Sequence, residues 1–261
     1  TLSGIRIEGA PAKHFMTAPF MEIDLRMHPL AGEYRFRQIR LVQPELHFSS
    51  LQTSGDQAGV TWRQGADFLR SVKTSPAGIS IERLLVSQGT AHATGAAGQP
   101  FVWADIDISL ENLVSAGYRQ ADPAPEPAGF RLSTVEKSTD RGMNLVLEGS
   151  MTEQDRVNGR LSLTGADFSR FVPGGSSGPF RVVQGVGDMT LDFSAPMNEA
   201  GKDAIWKGLQ VSGGSVSLSR PVISAGNGKL LQADSLTCTG IIADSGEQDL
   251  ACRTLAVEGG E

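Results

Sequence analysis

The amino-acid sequence predicts an all-β protein built from many strands. Apolar and polar residues alternate with a period of two along most of the chain, as expected for strands that bury one side. Gly, Asn, Asp or Pro separates nearly all of these segments, and the 261 residues include 31 glycines. Strands repeated about every ten residues are typical of a sandwich, a barrel or a long meander.

Each alternating segment predicts one strand or more. In ADIDISLENL, for example, Ile106, Ile108 and Leu110 lie on one side of an extended chain, and acidic and hydroxyl side chains lie on the other. The segments are IRIEG (5–9), FMEIDLRM (20–27), EYRFRQIRLVQPELHF (33–48), GISIERLLVSQGTAHATG (78–95), ADIDISLENL (104–113), MNLVLEGSM (143–151), VNGRLSLTG (157–165), GDMTLDFSA (187–195), LQVSGGSVSLS (209–219), SLTCTGIIAD (235–244) and DLACRTLAVEG (249–259).

Two short helices are predicted, in two segments that both begin with the sequence GADF. In GADFLRSVK (65–73), Asp67 is a candidate N-cap, and three apolar residues form a narrow stripe. In GADFSRFVP (165–173), Asp167 is the candidate N-cap and Pro173 ends the helix. The repeat suggests a recurrent plug or end-cap.

A proline-rich stretch, RQADPAPEPAG (119–129), is the one clear linker or long loop. It predicts an N-terminal β-rich segment of residues 1–118. Residues 130–261 are expected to form a C-terminal β-rich segment that continues the same sheet.

The charge and the motifs argue against several functions. The net charge of −6, without a basic stripe, disfavours nucleic acid as a partner. No nucleophile, phosphate-loop or dinucleotide motif is present, and His14, His28, His47 and His92 are scattered without ligand spacing. We therefore expect a protein that is not an enzyme and that binds no metal or cofactor.

Asp105 and Asp107 could be imagined as the paired carboxylates of a glycosidase. Only 6% of the residues are aromatic, and both aspartates lie opposite the isoleucines. A solvated outer face is the better interpretation, so a carbohydrate-active enzyme or adhesin is disfavoured.

The chain lacks a run of roughly 18 apolar residues that could span a bilayer. It begins at Thr1 and starts directly with a strand-like pattern. We expect a segment of a longer or processed protein, with any membrane anchor outside it.

Cys238 and Cys252 lie at equal distances from Ser245. Asp244, Ser245 and Gly246 predict a three-residue hairpin loop with glycine at the left-handed position. In that register the two cysteines are directly opposite and close enough for a disulfide. The alternative is two buried thiols packed within a strand pair. A disulfide would indicate an oxidising compartment.

The first 48 residues contain a recognisable succession of strands. In IRIEGAPAKHFMTAPFMEIDLRMHPLAGEYRFRQIRLVQPELHF (5–48), a short strand ending in Pro-Leu precedes a basic strand and an R-L-x-x-P-x-L ending. This segment resembles the AsmA-like proteins of Gram-negative bacteria. ISIERLLVSQGTAHATG (79–95), QPFVWADIDISLENL (99–113), NLVLEGSM (144–151) and VNGRLSLTGADFSRFVP (157–173) are similar to later units of that family.

The resemblance implies a periplasmic protein, tethered to the inner membrane by a segment not present here. It implies a long, curved antiparallel sheet with a hydrophobic groove and one or two short helices. The implied function is to hold or conduct phospholipid between the inner and outer membranes, or to maintain the envelope.

The alternating residues offer a mechanism compatible with that function, because an apolar face left uncovered by protein could bind phospholipid acyl chains. The same side chains would also fill a closed β-sandwich core, and a structural or protein-binding scaffold that assists outer-membrane protein assembly is the alternative function. The lipid-groove candidates are Ile106, Ile108, Leu110, Leu145, Leu147, Leu161, Leu163, Leu191 and Phe193.

Overall fold

The structure is a computed structural model. It describes residues 2–9, 13–28, 33–47, 72, 74–94, 100–118, 126–137, 142–152, 156–170, 180–196, 208–225, 230–244 and 249–259.

The described residues form fourteen strands, so the predicted all-β fold is confirmed. The strands are β1 (Leu2–Gly9), β2 (Lys13–His28), β3 (Glu33–Val42), β4 (Glu45–His47), β5 (Gly78–Thr94), β6 (Pro100–Val114), β7 (Gly129–Glu136), β8 (Met143–Met151), β9 (Arg156–Asp167), β10 (Phe180–Pro196), β11 (Gln210–Ala225), β12 (Leu230–Gln232), β13 (Ser235–Asp244) and β14 (Asp249–Glu258).

These strands belong to one sheet, largely antiparallel, rather than to two separate sheets. The strand order is β1-β2-β3-β5-β6-β7-β8-β9-β10-β11-β13-β14, with β4 beside β2 and β5, and β12 beside β11. In the ladders described, β3 and β4 run parallel to β5. A parallel pair needs a long connection, and residues 48–77 separate β4 from β5 along the chain.

β3 and β4 are two segments of one strand. Phe20↔Val42 and Thr17↔Glu45 have the same register on β2, and both segments also keep one register on β5. The pairings of β2, β3, β5 and β4 therefore form a closed ring of four strand segments. In this ring β3 and β4 are parts of one strand, which is interrupted at Gln43 and Pro44. β12 and β13 are related in the same way along β11, with an interruption at 233–234.

The chain divides into two compact units. Unit 1 comprises Thr1–Asp140 with Glu148–Val157, and unit 2 comprises Arg141–Leu147 with Asn158–Glu261. Residues 119–125 of the predicted linker lie outside the described residues, and the predicted segments 1–118 and 130–261 stay a prediction.

The second predicted helix is a single 3-10 turn, Phe168–Arg170. Asp167 caps it as expected, because its Oδ1 accepts hydrogen bonds from the Ser169 backbone N–H (3.1 Å) and hydroxyl (2.6 Å). The first predicted helix lies outside the described residues except for Val72, which is helical and buried. In the part of the chain that is described, no helix has the length and apolar character needed to cross a membrane.

Residues with positive φ lie at one level on three strands of unit 1. Gln43 (φ 51°), Gln88 (φ 56°) and Asp105 (φ 51°) form what we call the bulge line. The Gln43 N–H donates to the Ser87 carbonyl (2.8 Å), and its amide donates to Gln88 Oε1 (3.3 Å). The Gln88 N–H donates to Asp107 Oδ1 (3.1 Å). Hydrogen bonds thus connect Gln43 to β5, and Gln88 to Asp107 on β6, two residues beyond Asp105.

Each bulge adds one residue and shifts the phase of the alternation. Trp103 pairs with Ala91, and Ile106 pairs with Gly89. Residues 89 and 91 share one face of β5, so Trp103 and Ile106 also share a face, although regular alternation would place them on opposite faces. The apolar side chains therefore stay on the same face beyond the bulge.

A buried proline lies at the interruption in each unit: Pro44 within it, and Pro221 on β11 opposite residues 233–234. Pro44 and Pro221 are fully buried, and each follows a residue with positive φ, Gln43 or Arg220 (φ 47°). Both lie in a Leu-x-x-Pro-x-aliphatic sequence, at 41–46 and 218–223.

The neighbouring strands of the two prolines also correspond. A Gln-Gly pair lies beside each: a Cβ at Gly89 would lie 3.4 Å from Pro44 Cγ, and one at Gly185 would lie 3.5 Å from Pro221 Cα. On the other side of each proline the neighbouring residue is a buried alanine. Ala18 on β2 lies beside Pro44, and Ala233, which follows β12, lies beside Pro221.

Cys238 and Cys252 form the predicted disulfide, with Cα atoms 6.1 Å apart. The predicted register is wrong: Cys238 pairs with Leu255, and Cys252 pairs with Ile241. The ladder extends to Asp244↔Asp249, so Asp244 belongs to the strand rather than to a three-residue loop.

The disulfide lies beside Gly240 (φ 68°), the one position of β13 between Ser235 and Asp244 without a ladder partner on β14. At Gly240 the side chains of β13 exchange faces, so that residues 238 and 241 lie on the same face. Ile241 is consequently buried, whereas Ile242 is exposed. Both sulfurs can therefore reach each other from residues that are not paired in the ladder.

We predict that Gly240→Ala lowers the free energy of unfolding by about 1–2 kcal/mol, because a Cβ is strained at this φ. It would also lie 2.8 Å from Arg253 Cβ. Urea denaturation of the oxidised protein measures the change. The matched control is Gly213→Ala on β11, whose Cβ would meet nothing closer than Asp192 Oδ2 at 3.6 Å. An equal loss of stability in both variants would contradict the special backbone conformation of Gly240.

Candidate functional site: an apolar face in each unit

Ladder partners in unit 1 assemble one apolar face from five strands. Cross-strand partners share a face, so the face can be followed from Ile108 to Val86, then to Leu41 and Met21. On the other side of β6, Ile108 pairs with Leu132. The apolar face of unit 1 comprises Met21, Ile23, Ile39, Leu41, Leu84, Val86, Ile106, Ile108, Leu110, Phe130 and Leu132.

The exposure of this face increases toward β2. Ile106 and Leu110 are buried and Ile108 is half-buried, whereas Ile23 is 40% exposed. The side of the face formed by β2 therefore offers apolar surface to solvent, and the middle of the sheet does not.

The opposite face of unit 1 is charged. Arg40 and Glu22 lie 3.9 Å apart across β2 and β3. Lys137 Nζ lies 2.7 Å from Asp105 Oδ2, and Arg35 Nε donates to Glu82 Oε1 at 2.7 Å. Further along, Arg131 pairs with Glu148 at 2.5 Å. We call this the polar face of unit 1.

Unit 2 repeats the separation of apolar and polar side chains. Met189, Leu191 and Phe193 alternate along β10, and the partners of Met189 and Phe193 on β11 are Val216 and Val211. Those two residues pair in turn with Cys238 and Ala243 on β13. The apolar face of unit 2 comprises Met189, Leu191, Phe193, Val211, Val216, Leu218, Leu236, Cys238, Ile241, Ala243, Cys252, Leu255 and Val257.

This second face is most exposed at its last strand. Leu255 is 61% exposed and Val257 is 44% exposed, while Val211 and Leu218 are buried. Both cysteines of the disulfide lie on this face, on the two sides of Gly240. The disulfide thus contributes to the apolar surface of β13 and β14.

An ion pair places two of the leucines of β9. Arg160 Nε and Nη2 donate to the Asp192 carboxylate at 2.7 and 3.3 Å, so Arg160 and Asp192 share a face. Asp192 lies opposite Leu191 and Phe193 in the alternation of β10. Leu161 and Leu163 alternate with Arg160 and therefore lie on the apolar face.

The nine lipid-groove candidates thus fall into two sets. Ile106, Ile108 and Leu110 belong to unit 1, and Leu161, Leu163, Leu191 and Phe193 belong to unit 2. Leu145 and Leu147, on the side of β8 opposite Glu148, also belong to unit 2 and are half-buried. Ile106, Leu110 and Leu163 are buried, and the other six are half-buried.

Sequence reasoning missed the most exposed members of both faces. Ile23 and Leu255 belong to alternating segments that were recognised, but their face could not be assigned because bulges shift the phase between them and the candidates. Strand β7 was missed altogether, and with it the buried Glu136, which pairs across the ladder with Trp103.

The hydrogen bond from Arg160 holds the pKa of the Asp192 carboxyl below its ordinary value of 3.8. Burial opposes this effect, and the positive charge of Arg160 adds to it. Arg160 and Asp192 are 54% and 41% exposed, so solvent screens the pair.

The acidic residues considered as a glycosidase pair have partners in the structure. Asp105 is paired with Lys137, and the Asp107 carboxylate accepts the Gln88 N–H, so both support the bulge line. His92 Nε2 lies 3.2 Å from Glu45 Oε1. Among these residues no cluster of His, Cys, Asp and Glu could hold a metal ion.

No protein-family model, curated protein or solved structure matches this chain.

We predict that Arg160→Gln raises the pKa of Asp192 toward 3.8, because the carboxylate loses its strongest hydrogen bond. A carboxyl titration followed by NMR measures the shift. A lowered pKa contributes stability above the ordinary value, and that contribution is lost as the pH falls through the lowered pKa. Since both side chains are exposed, its loss should cost at most about 1 kcal/mol near neutral pH. Arg131→Gln, on a different ion pair, should leave the Asp192 titration unchanged; a shift there would refute the assignment.

Proposed function

We propose that the apolar faces hold phospholipid acyl chains in the periplasm, as part of the movement of lipid between the inner and outer membranes or of envelope maintenance. The observation that carries the proposal is the exposure of aliphatic side chains on the apolar faces, at Ile23 in unit 1 and at Leu255 and Val257 in unit 2. Contiguous exposed apolar surface commonly marks a binding site.

Acyl chains suit such a surface for energetic reasons. Each methylene removed from water contributes about 0.8 kcal/mol, and the contact has no preferred direction. A chain can therefore be retained while it slides along the sheet. The ion pairs described above lie on the polar faces, so they do not interrupt the apolar surface at Ile23, Leu255 and Val257. One charged residue, the buried Glu136, shares the face of its ladder partner Trp103.

The resemblance to AsmA-like proteins supports the same function. It supplies the location in the periplasm and the tether to the inner membrane through a segment outside this chain. The disulfide is compatible with that location, because disulfides persist in oxidising compartments. The proposal requires no catalytic group, metal or cofactor.

A structural or protein-binding scaffold is the second candidate function. The observation that favours it is β14, which has one strand partner and whose described side chains, at 251–259, are all exposed. An exposed edge of this kind can add a strand from another protein. The partners would then be outer-membrane proteins during their assembly.

We predict that Ile23→Asn and Leu255→Asn each weaken the binding of a fluorescent phospholipid analogue by about threefold to tenfold, because each removes aliphatic contact with the acyl chain. Binding is measured by the change in fluorescence on titration. The wild-type protein should also yield phospholipid on solvent extraction and mass spectrometry.

The matched controls lie on the opposite faces of the same strands or their neighbours. Phe20 is 51% exposed on β2, and Ile242 is 50% exposed on β13. Phe20→Asn and Ile242→Asn should therefore bind the analogue as the wild type does. Equal weakening of analogue binding in all four variants, or a wild-type protein that binds no lipid, would contradict the proposal. Strand addition would instead produce a complex that depends on β14 and not on Ile23.

A further inference from the structure

β14 is held by its ladder with β13 and by the Cys238–Cys252 disulfide. β14 is the last strand in the sheet order and pairs with β13. Its described side chains are all exposed, so it buries little apolar surface. An edge strand of this kind opens at low cost unless it is tied down.

The two cysteines of the bridge differ in accessibility. Cys252 is exposed, whereas Cys238 is half-buried beside Val216, its partner on β11. Thiol–disulfide exchange depends on access of the attacking thiolate to one sulfur and on release of the other. Cys252 is therefore the side from which a reagent can approach.

We propose that Cys252 is a thiol–disulfide exchange site and that the disulfide is a reducible latch on β14. The reductant is a dithiol, either a small molecule or a protein of the dithiol oxidoreductase class. This inference does not depend on lipid binding.

The reaction proceeds in two displacements. A thiolate of the dithiol attacks Cys252 Sγ, the bond between the two cysteine sulfurs breaks, and its electron pair leaves on Cys238 Sγ, which takes up a proton. The second thiolate of the reductant then attacks the other sulfur of the reductant, the one bonded to Cys252 Sγ. That bond breaks, and Cys252 leaves and takes up a proton to become a thiol. The reductant is oxidised to a disulfide, and the chain gains two electrons and two protons.

Opening the latch changes the edge of the sheet. The bridge closes a loop with a sequence separation of 14, and without it the detached strand has many more conformations. We expect the population of the detached state to rise on the order of a hundredfold. The backbone N–H and C=O groups of β13 that pair with β14 would then be free to pair with another strand.

Hydrogen exchange with mass spectrometry tests the latch on the full chain. Treatment with dithiothreitol should accelerate exchange in peptides that cover 249–258 on the order of a hundredfold, while peptides that cover β10 keep their protection. The Cys238→Ala/Cys252→Ala variant should exchange as the reduced wild type does, and dithiothreitol should not affect it. Unchanged exchange at 249–258, or loss of protection throughout unit 2, would overturn the latch.

A second measurement tests which sulfur is attacked. After brief treatment with glutathione and an acid quench, peptide mapping should locate the mixed disulfide on Cys252. Glutathione found mainly on Cys238, or a bridge that does not react until the protein is denatured, would contradict the exchange site.

Discussion

The amphipathic sheet of each unit depends on bulges that fall at the same level on neighbouring strands. A strand has a period of two, so one inserted residue sends every later side chain to the other face. If a single strand carried a bulge, its ladder partners would present polar side chains beside its apolar ones. In unit 1 the shift at Gln43 is matched at Gln88 and at Asp105. Hydrogen bonds connect Gln43 to Ser87 and Gln88, and Gln88 to Asp107 on β6. The apolar face survives because its strands change phase together.

The separation of charge from apolar surface follows from the same constraint. Arg40, Lys137 and Arg131 each find a carboxylate on the polar face, where solvent screens the pairs and each contributes little stability. These side chains do determine which side of each strand faces solvent, because turning them to the apolar face would bury unpaired charge. The aliphatic residues are thus fixed on one side, and their exposure at Ile23 and Leu255 is what a lipid or a protein partner would contact.

The sequence was sufficient for most of the strands, because their apolar residues alternate locally. It also indicated the cysteine pair, although from a register that the structure does not have. Ile106, Ile108 and Leu110 were correctly placed on one face because no bulge separates them. Trp103 could not be assigned to that face, since the alternation alone does not show that Asp105 has a positive φ. The hairpin register failed for a related reason: Asp244 favours a turn, but its pairing with Asp249 extends the ladder. β7 has an alternation too weak to recognise, with Thr134 and Glu136 at buried positions.

The buried prolines of the two units show how far a local arrangement can be independent of chain order. Pro44 has a parallel neighbour in β5, whereas Pro221 has an antiparallel neighbour in β10, yet both lie beside a Gln-Gly pair. The strand with the buried alanine precedes the proline in one unit and follows it in the other. Three short segments therefore build one local motif in two chain orders. A proline with a small residue on each side fits the interruption whichever strand comes first and whichever way its neighbour runs.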